Sequence, residues 1–359
     1  MTDTTPTSTR LDAAFWRGKR VLLTGHTGFK GGWAALWLSS MGAKVTGVGL
    51  APEPGPALFE LADIAGKTDS HIADIRDPDA MARIVQAAEP DLVLHMAAQA
   101  LVRRSIRDPQ ETWSTNVTGT GVLLDALRDH APGAPVLVVT SDKVYHNDNS
   151  GRAFAEDDRL GGKDPYSASK AACELLVASH RTTYFDPAGT PLATVRGGNV
   201  IGGGDFSEDR LIPDIVRATL AGETLVLRHP EATRPWQHVL DCLSGYLVFL
   251  QALAETPDAP RVLNIGPDVR AGEATVAEAA EVTLELLGGP EWRHEPVPGS
   301  IEALALQLDP GHAAGTIGWR PRLQGRPALD WTAEWYAGWR DGQDPGELAL
   351  AQIARFEAL

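Results

Sequence analysis

Tyr166 and Lys170, in the stretch Tyr166-Ser167-Ala168-Ser169-Lys170, stand four residues apart. That spacing puts both side chains on one face of a helix. A free tyrosine titrates near 10, and bringing it toward neutrality takes about 4 kcal/mol of differential stabilisation. An ammonium on the same face supplies part of that, which equips Tyr166 as a general base on a hydroxyl. Ser141 lies just past an apolar, strand-like run and precedes the pair in the chain. Without such a companion, a Tyr/Lys pair is a common feature of an exposed helix face.

A second stretch carries chemistry of another kind. Val21-Leu22-Leu23-Thr24 is a short apolar run, and glycines follow at 25, 28 and 31 before a helix-compatible segment. Strand, glycine turn and helix in that order let backbone approach a pyrophosphate and let the helix seat close to the strand. The N-terminus of the helix then offers free N–H groups and the positive end of its dipole to the phosphates. Gly25, Thr27, Gly28, Phe29, Lys30 and Gly31 form this candidate dinucleotide cradle, in which Lys170 would hold the nicotinamide ribose.

These residues need a scaffold, and the chain supplies one. Strand candidates at 20–23, 44–48, 69–71, 92–96, 136–140, 192–196 and 261–265 alternate with helical segments at 31–41, 78–88, 108–130 and 165–185. Such alternation predicts an α/β protein with a Rossmann-type, doubly wound parallel sheet covered on both faces. The texture changes at the glycine-rich run 197–204, and prolines and glycines recur over 289–327. The expected division is a dinucleotide-binding domain over 13–198, rejoined by 238–266, and a smaller α/β substrate-binding lobe from 199–237 and 267–359. Residues 1–12 are polar and threonine-rich and read as a disordered tail. Asp74, just past the third strand candidate, is placed to accept from an adenine amino group, with Ile75 beside it. Asp77, before Pro78, fits a helix N-cap better.

Composition narrows the partners. A net charge of −15 argues against nucleic acid and against an anionic membrane surface. The longest apolar helical run, near 246–254, is too short to cross a bilayer, so a cytoplasmic protein is expected. Cys173 and Cys242 sit in apolar, helix-like contexts and read as buried thiols. The histidines are scattered, and no metal site is expected.

Together, Thr24-Gly25-His26-Thr27-Gly28-Phe29-Lys30-Gly31, His95-Met96-Ala97-Ala98-Gln99, Asn116, Thr140-Ser141-Asp142 and Tyr166-x-x-x-Lys170 resemble the extended short-chain dehydrogenase/reductase family. The resemblance spans nearly the whole chain. It implies NAD as cofactor, with Ala97, Ala98, Gln99 and Thr140 along it, and a role for Ser141 in orienting a substrate hydroxyl. Thr140-Ser141-Asp142-Lys143, Gly161-Gly162-Lys163-Asp164-Pro165-Tyr166-Ser167, the run Arg196–Asp205 and Arg234-Pro235-Trp236-Gln237-His238-Val239 are similar to the branch of nucleotide-sugar 4,6-dehydratases acting on CDP-hexoses.

For that branch the implied reaction is an internal redox dehydration, CDP-glucose to CDP-4-keto-6-deoxyglucose. Tyr166 would take the C4 hydroxyl proton and Asp142 would protonate the leaving C6 hydroxyl. Lys143 has two readings: a neutral base at C5, which needs its pKa well below about 10.4, or a charged stabiliser of the enolate. Arginine forks suit a diphosphate. The resemblance puts Arg234 on it, with Asn199 and Arg210 close, and adds Gln99, Arg196 and Glu302 to the substrate set. Arg196, at a strand end, also reads as a structural partner for a carboxylate, Arg228 as a surface residue, and Trp236 as packing. The chain departs from the branch at Val144, His146, the Ser150–Phe154 loop and Ser300-Ile301-Glu302-Ala303. A dehydratase or C4 epimerase for another nucleotide sugar is the alternative, and a dinucleotide sensor without turnover a third reading. The resemblance also implies a homodimer packed through the helices near 108–130 and 165–185.

Overall fold

The computed structural model describes residues 11–269, 271, 273–295 and 306–359. Seven strands form one parallel sheet: β1 (Arg20–Thr24), β2 (Lys44–Gly49), β3 (Asp69–Ile72), β4 (Leu92–His95), β5 (Val136–Val139), β6 (Leu192–Gly197) and β7 (Val262–Ile265). Their spatial order is β7-β6-β5-β4-β1-β2-β3. In register, Leu23 faces Gly47 of β2 and Leu94 of β4. The chain reverses its direction of travel between β1 and β4, which opens a crevice beyond the strand carboxyl ends.

In the inner strands the apolar runs are near-continuous because both faces are buried, whereas the edge strand β3 has no buried residue. Val21, Leu23, Leu94, Leu137 and Val139 enter one apolar cluster, and Leu22, Val93, Val136 and Val138 enter another. The first face is covered by α1 (Phe29–Ser40) and a later helix. The second is covered by α2 (Pro78–Ala88), α3 (Thr120–His130) and α4 (Pro165–His180), which contribute Met81, Leu123 and Val177. Asp77 caps α2 by accepting from the Asp79 and Ala80 N–H groups, as its position before Pro78 predicts.

Where a single helix is expected over 108–130, three pieces are found. Pro109–Trp113 is followed by a wide π-type turn at Ser114–Gly119 and then by α3. The turn aims Asn116 inward, where its amide donates to the Gln99 carbonyl (3.0 Å) and to Ser169 Oγ (2.9 Å). Helix α4 likewise ends at His180 and passes into a π-type turn at Arg181–Phe185. Of the N-terminal segment, residues 1–10 lie outside the described residues. Asp12 is ordered as the cap of a short helix, accepting from the Ala14 N–H.

Beyond β6 the chain builds α5 (Leu211–Ala221), α6 (Val239–Glu255), α7 (Val276–Leu287), α8 (Arg326–Arg340) and α9 (Pro345–Glu357). Helix α6 returns to the sheet beside α1, while α5, α7 and α8 pack on one another above the strand ends. Trp335 of α8 fits against Gly203, where a Cβ would lie 2.0 Å from its ring. The Trp33 indole donates to the Gly203 carbonyl (2.8 Å), and Trp37 donates to Glu357 of α9 (2.8 Å). One apolar core thus runs from the sheet into the roof over the crevice, and it fixes the position of that roof.

Candidate active site

The glycine turn is shaped for close backbone approach. Gly25 has φ +81°, and a Cβ there would lie 2.8 Å from the Ala97 nitrogen. A Cβ on Gly31 would lie 1.9 Å from the Gly25 carbonyl oxygen, so α1 seats on the turn only with glycine at this position. Gly28 caps α1 without a side-chain bond, leaving the first N–H groups of the helix unclaimed by a side-chain cap. That combination fits a dinucleotide diphosphate. His26 points away from the turn. Its Nε2 pairs with Ser70 Oγ at 2.7 Å, and burial pushes its pKa down.

At the far end, Asp74 is held by Arg76, with Oδ2 to Nη2 at 2.6 Å, and this pairing keeps the carboxyl below its usual range. The carboxylate remains about one third exposed. The Ile75 side chain is buried against Gly119, so only its main chain can face a ligand. Gln99 corrects an expectation. Its amide nitrogen donates to the Leu101 carbonyl (3.1 Å) and Thr112 Oγ1 (2.8 Å), and its oxygen accepts from the Leu101 N–H (2.6 Å). The side chain closes the loop after β4 and has no donor left for sugar or cofactor.

Asp164 caps α4 and Pro165 opens it, which sets Tyr166 in the first turn. Tyr166 and Lys170 are both buried on one face. The Lys170 ammonium donates to the Val139 carbonyl at 3.1 Å, and burial pushes its pKa down to about 8. Ser141 caps a single tight turn, Asp142–Val144. Its hydroxyl donates to Asp142 Oδ1 (2.7 Å) and accepts from the Lys143 N–H (3.2 Å). Lys143 Nζ donates to Asp142 Oδ1 (3.3 Å) and to Asn199 Oδ1 (3.4 Å). Asp142 Oδ2 is buried with no hydrogen-bond partner.

The charges around the phenol differ from those the spacing suggests. Burial pushes Tyr166 up, and the opposing pull comes from Lys143, the Ser141 hydroxyl and Arg210. Lys170 is turned to the end of β5 instead. For Lys143, burial favours the neutral amine, but the charge of Asp142, 3.3 Å from the ammonium, outweighs it and the pKa is raised. The ammonium form is therefore the resting one.

A cleft of about 590 Å³ separates these groups from the roof. Ser141, Asp142, Lys143, Tyr166, Asn199 and Lys30 line it together with Arg210, Arg234 and Trp236. Arg210 pairs with Asp205 at 2.8 Å, Arg234 donates to the Thr233 carbonyl at 2.8 Å, and the Trp236 indole donates to the Ala274 carbonyl at 3.1 Å. Arg228 is exposed, as expected, yet it also lines the mouth of the cleft. Arg196 is a second correction. Its Nε and Nη2 engage Glu174 (3.0 and 3.1 Å), its Nη1 donates to Tyr145 Oη (2.7 Å), and it is absent from the cleft wall. Its structural reading holds. Glu302 lies outside the described residues. Sequence reading did not single out Glu174, Arg103 or Asp209. Arg103 and Asp209 form an ion pair (2.6 Å) at the cleft mouth, and nothing in their local spacing marks them.

A glycine turn at a helix N-terminus, the switch in strand order, and a Ser/Tyr/Lys set under a roofed cleft define a Rossmann-fold enzyme of the short-chain dehydrogenase/reductase type. The chain belongs to the NAD dependent epimerase/dehydratase family, which it matches over residues 21–266. It is 42% identical to a CDP-glucose 4,6-dehydratase from Salmonella typhimurium, over 93% of this chain and 95% of the relative. It is 30% identical to a dTDP-glucose 4,6-dehydratase from Xanthomonas campestris, over 92% and 98% of the two chains. Among solved structures, a double mutant of a dTDP-glucose 4,6-dehydratase from Streptomyces venezuelae, with NAD bound, is 26% identical. It superimposes with a TM-score of 0.75 over 90% of this chain and 99% of that one.

Proposed function

We propose that the protein dehydrates CDP-glucose to CDP-4-keto-6-deoxyglucose, with Ser141, Asp142, Lys143, Tyr166 and Lys170 as its catalytic set. The observation that carries this is the Ser141–Asp142–Lys143 turn beside Tyr166, with one oxygen of Asp142 buried and unclaimed. An epimerase has no use for an acid there, whereas a dehydratase needs one at the C6 hydroxyl. The likeness to the Salmonella typhimurium relative supports CDP-glucose as substrate.

Gly25, Gly28, Gly31 and the N-terminus of α1 would hold the NAD diphosphate, Asp74 the adenine and Lys170 the nicotinamide ribose. Bound there, the nicotinamide supplies reversible hydride transfer, out from C4 and back to C6. Tyr166 accepts the C4 hydroxyl proton, with Ser141 orienting that hydroxyl. Lys143 stays an ammonium and stabilises the enolate electrostatically while the C5 proton passes to the unclaimed Oδ2 of the Asp142 carboxylate. Asp142 hands that proton to the C6 hydroxyl, which leaves as water; C5 takes up one proton from solvent as the hydride would return to C6, and Tyr166 releases the one it accepted. Arg234 and Arg210 clamp the diphosphate as charged forks, beside Asn199, in the lobe formed by 199–237 and 267–359.

The protein acts in the cytoplasm as a homodimer. Among the described residues, no helix is long and apolar enough to cross a membrane, and the unpaired, buried Cys173 and Cys242 suit a reducing compartment. Trp113 and Leu175 expose 39% and 65% of their surface on the segments expected at the dimer contact. Incubation with NAD and a panel of CDP-, dTDP-, GDP- and UDP-hexoses tests the function. Loss of water from the CDP sugar is expected. A stereoisomer of unchanged mass, or dehydration of another nucleotide sugar instead, would overturn it.

A further inference from the structure

Tyr166, Lys170 and Glu174 follow one another at four-residue steps along α4. Tyr166 lines the cleft, and Lys170 reaches the end of β5. Glu174 is just as deeply buried, 4% exposed, and lines no part of the cleft. Its carboxylate is saturated. One oxygen accepts from Thr140 Oγ1 (2.6 Å) and Arg196 Nε (3.0 Å), and the other from Thr194 Oγ1 (2.7 Å) and Arg196 Nη2 (3.1 Å). Thr140 is the residue before Ser141. Arg196 in turn donates to the hydroxyl of Tyr145 (2.7 Å), the residue after the Asp142–Val144 turn, and the guanidinium lies over that ring. Tyr145 is locked from the far side by donating to Asn264 Oδ1 at 2.7 Å.

Both ends of the turn bearing Asp142 and Lys143 are therefore tied to one carboxylate on the helix bearing Tyr166. An ordinary helix–sheet contact could be made by apolar side chains, and a fully buried ion pair is seldom the more stable choice. What a fork and a carboxylate add is direction, since each bond fixes an angle as well as a distance.

We infer that Glu174 is a positioning residue. Through Thr140 and through Arg196–Tyr145 it fixes the span between the proton acceptor at the C4 hydroxyl and the groups acting at C5 and C6. The inference rests on the dehydration reading, in which a single bound sugar must meet both groups in turn. Loosening the tie leaves each group present but misplaced relative to the other, and a misplacement of about 1 Å can cost about 100-fold in rate.

The test compares wild type, Tyr145→Phe, Arg196→Lys and Glu174→Gln, each checked by thermal melting. Four quantities are read: kcat for the keto-deoxy product, KM for CDP-glucose, NAD affinity, and the steady-state fraction of enzyme holding reduced cofactor, by absorbance. Folded variants are expected to lose about 10- to 100-fold in kcat with KM and NAD affinity within about 2-fold. Their reduced fraction should rise, because C4 oxidation still proceeds while elimination lags. Tyr145→Phe keeps the ion pair, lies outside the cleft wall and decides the matter if Glu174→Gln does not fold. A folded Tyr145→Phe with wild-type kcat and wild-type reduced fraction overturns the inference. So does a fall in kcat that only tracks lost folded protein. Wild type that does not dehydrate CDP-glucose at all overturns the function itself, and the clamp's purpose with it.

Discussion

Lys143→Met isolates the electrostatic half of the elimination. The ammonium is held by Asp142 Oδ1 (3.3 Å) and Asn199 Oδ1 (3.4 Å) in the cleft wall, where it would act on an enolate bound in the cleft. A unit charge at about 4 Å, in surroundings with an effective dielectric near 20, contributes about 4 kcal/mol. Removing it entirely would slow elimination by about 1000-fold. The side chain is 32% exposed, so water recovers part of the loss, and a fall of about 100- to 1000-fold is expected. Methionine keeps the length and the apolar stem, which preserves packing beneath Asn199. The assay is mass-spectrometric detection of the keto-deoxy sugar nucleotide, run beside an NAD titration and absorbance of the reduced cofactor. NAD affinity should hold and C4 oxidation should persist, so reduced cofactor accumulates on the enzyme. Wild-type turnover in a folded Lys143→Met protein would refute both readings of this residue. A loss confined to KM would mean that Lys143 binds the ground state and has no part in the elimination.

Other perturbations read other parts of the account. Tyr166→Phe should lower kcat by about 100- to 10,000-fold, with CDP-glucose affinity by calorimetry little changed; a variant with wild-type turnover contradicts the assigned base. Gly31→Ala places a Cβ 1.9 Å from a carbonyl oxygen, whereas at Gly28 the nearest atom is 3.4 Å away. In urea unfolding, Gly31→Ala should therefore cost about 3 kcal/mol or more and Gly28→Ala little, and equal losses would contradict the packing described. Burial pushes both His95 and His238 down to about 3. The unfolded chain then takes up protons below about 6.5 and the folded chain does not, so stability falls as pH drops from about 6.5 toward 3. At pH 5 each histidine costs about 2 kcal/mol relative to neutral pH. Asparagine at 238 can still cap α6, as His238 does through the Leu240 N–H, so His238→Asn should remove about 2 kcal/mol of the acid loss. An unchanged difference between pH 7 and pH 5 unfolding contradicts the burial argument.

The sheet was legible because its signal is local. Seven strand candidates, each a few residues long, appear as seven parallel strands whose ends shift by a residue or so. The glycine turn was legible for the same reason, since the spacing of 25, 28 and 31 encodes which backbone must touch which. The break at Ser114–Gly119 was not, because its cause is tertiary: Asn116 is drawn inward by Gln99 and Ser169, far away in the chain. Gln99 and Arg196 misled in a similar way. Their types suit ligand binding, but the fold brings them partners that use their hydrogen bonds up, Leu101 and Thr112 for one, Glu174 and Tyr145 for the other. The state of Lys143 likewise follows from how burial and the Asp142 charge meet in space, which adjacency in the chain alone does not decide.

The central claim is that hydrogen leaves C4 and returns to C6 of one sugar within a single enclosed cleft. CDP-glucose labelled with deuterium at C4 tests this directly when incubated with the protein and NAD. The account predicts a product lighter by one water that carries the deuterium at C6, with no net consumption of NAD. Deuterium accumulating in free reduced cofactor, or a sugar nucleotide of undiminished mass with deuterium still at C4, would contradict it.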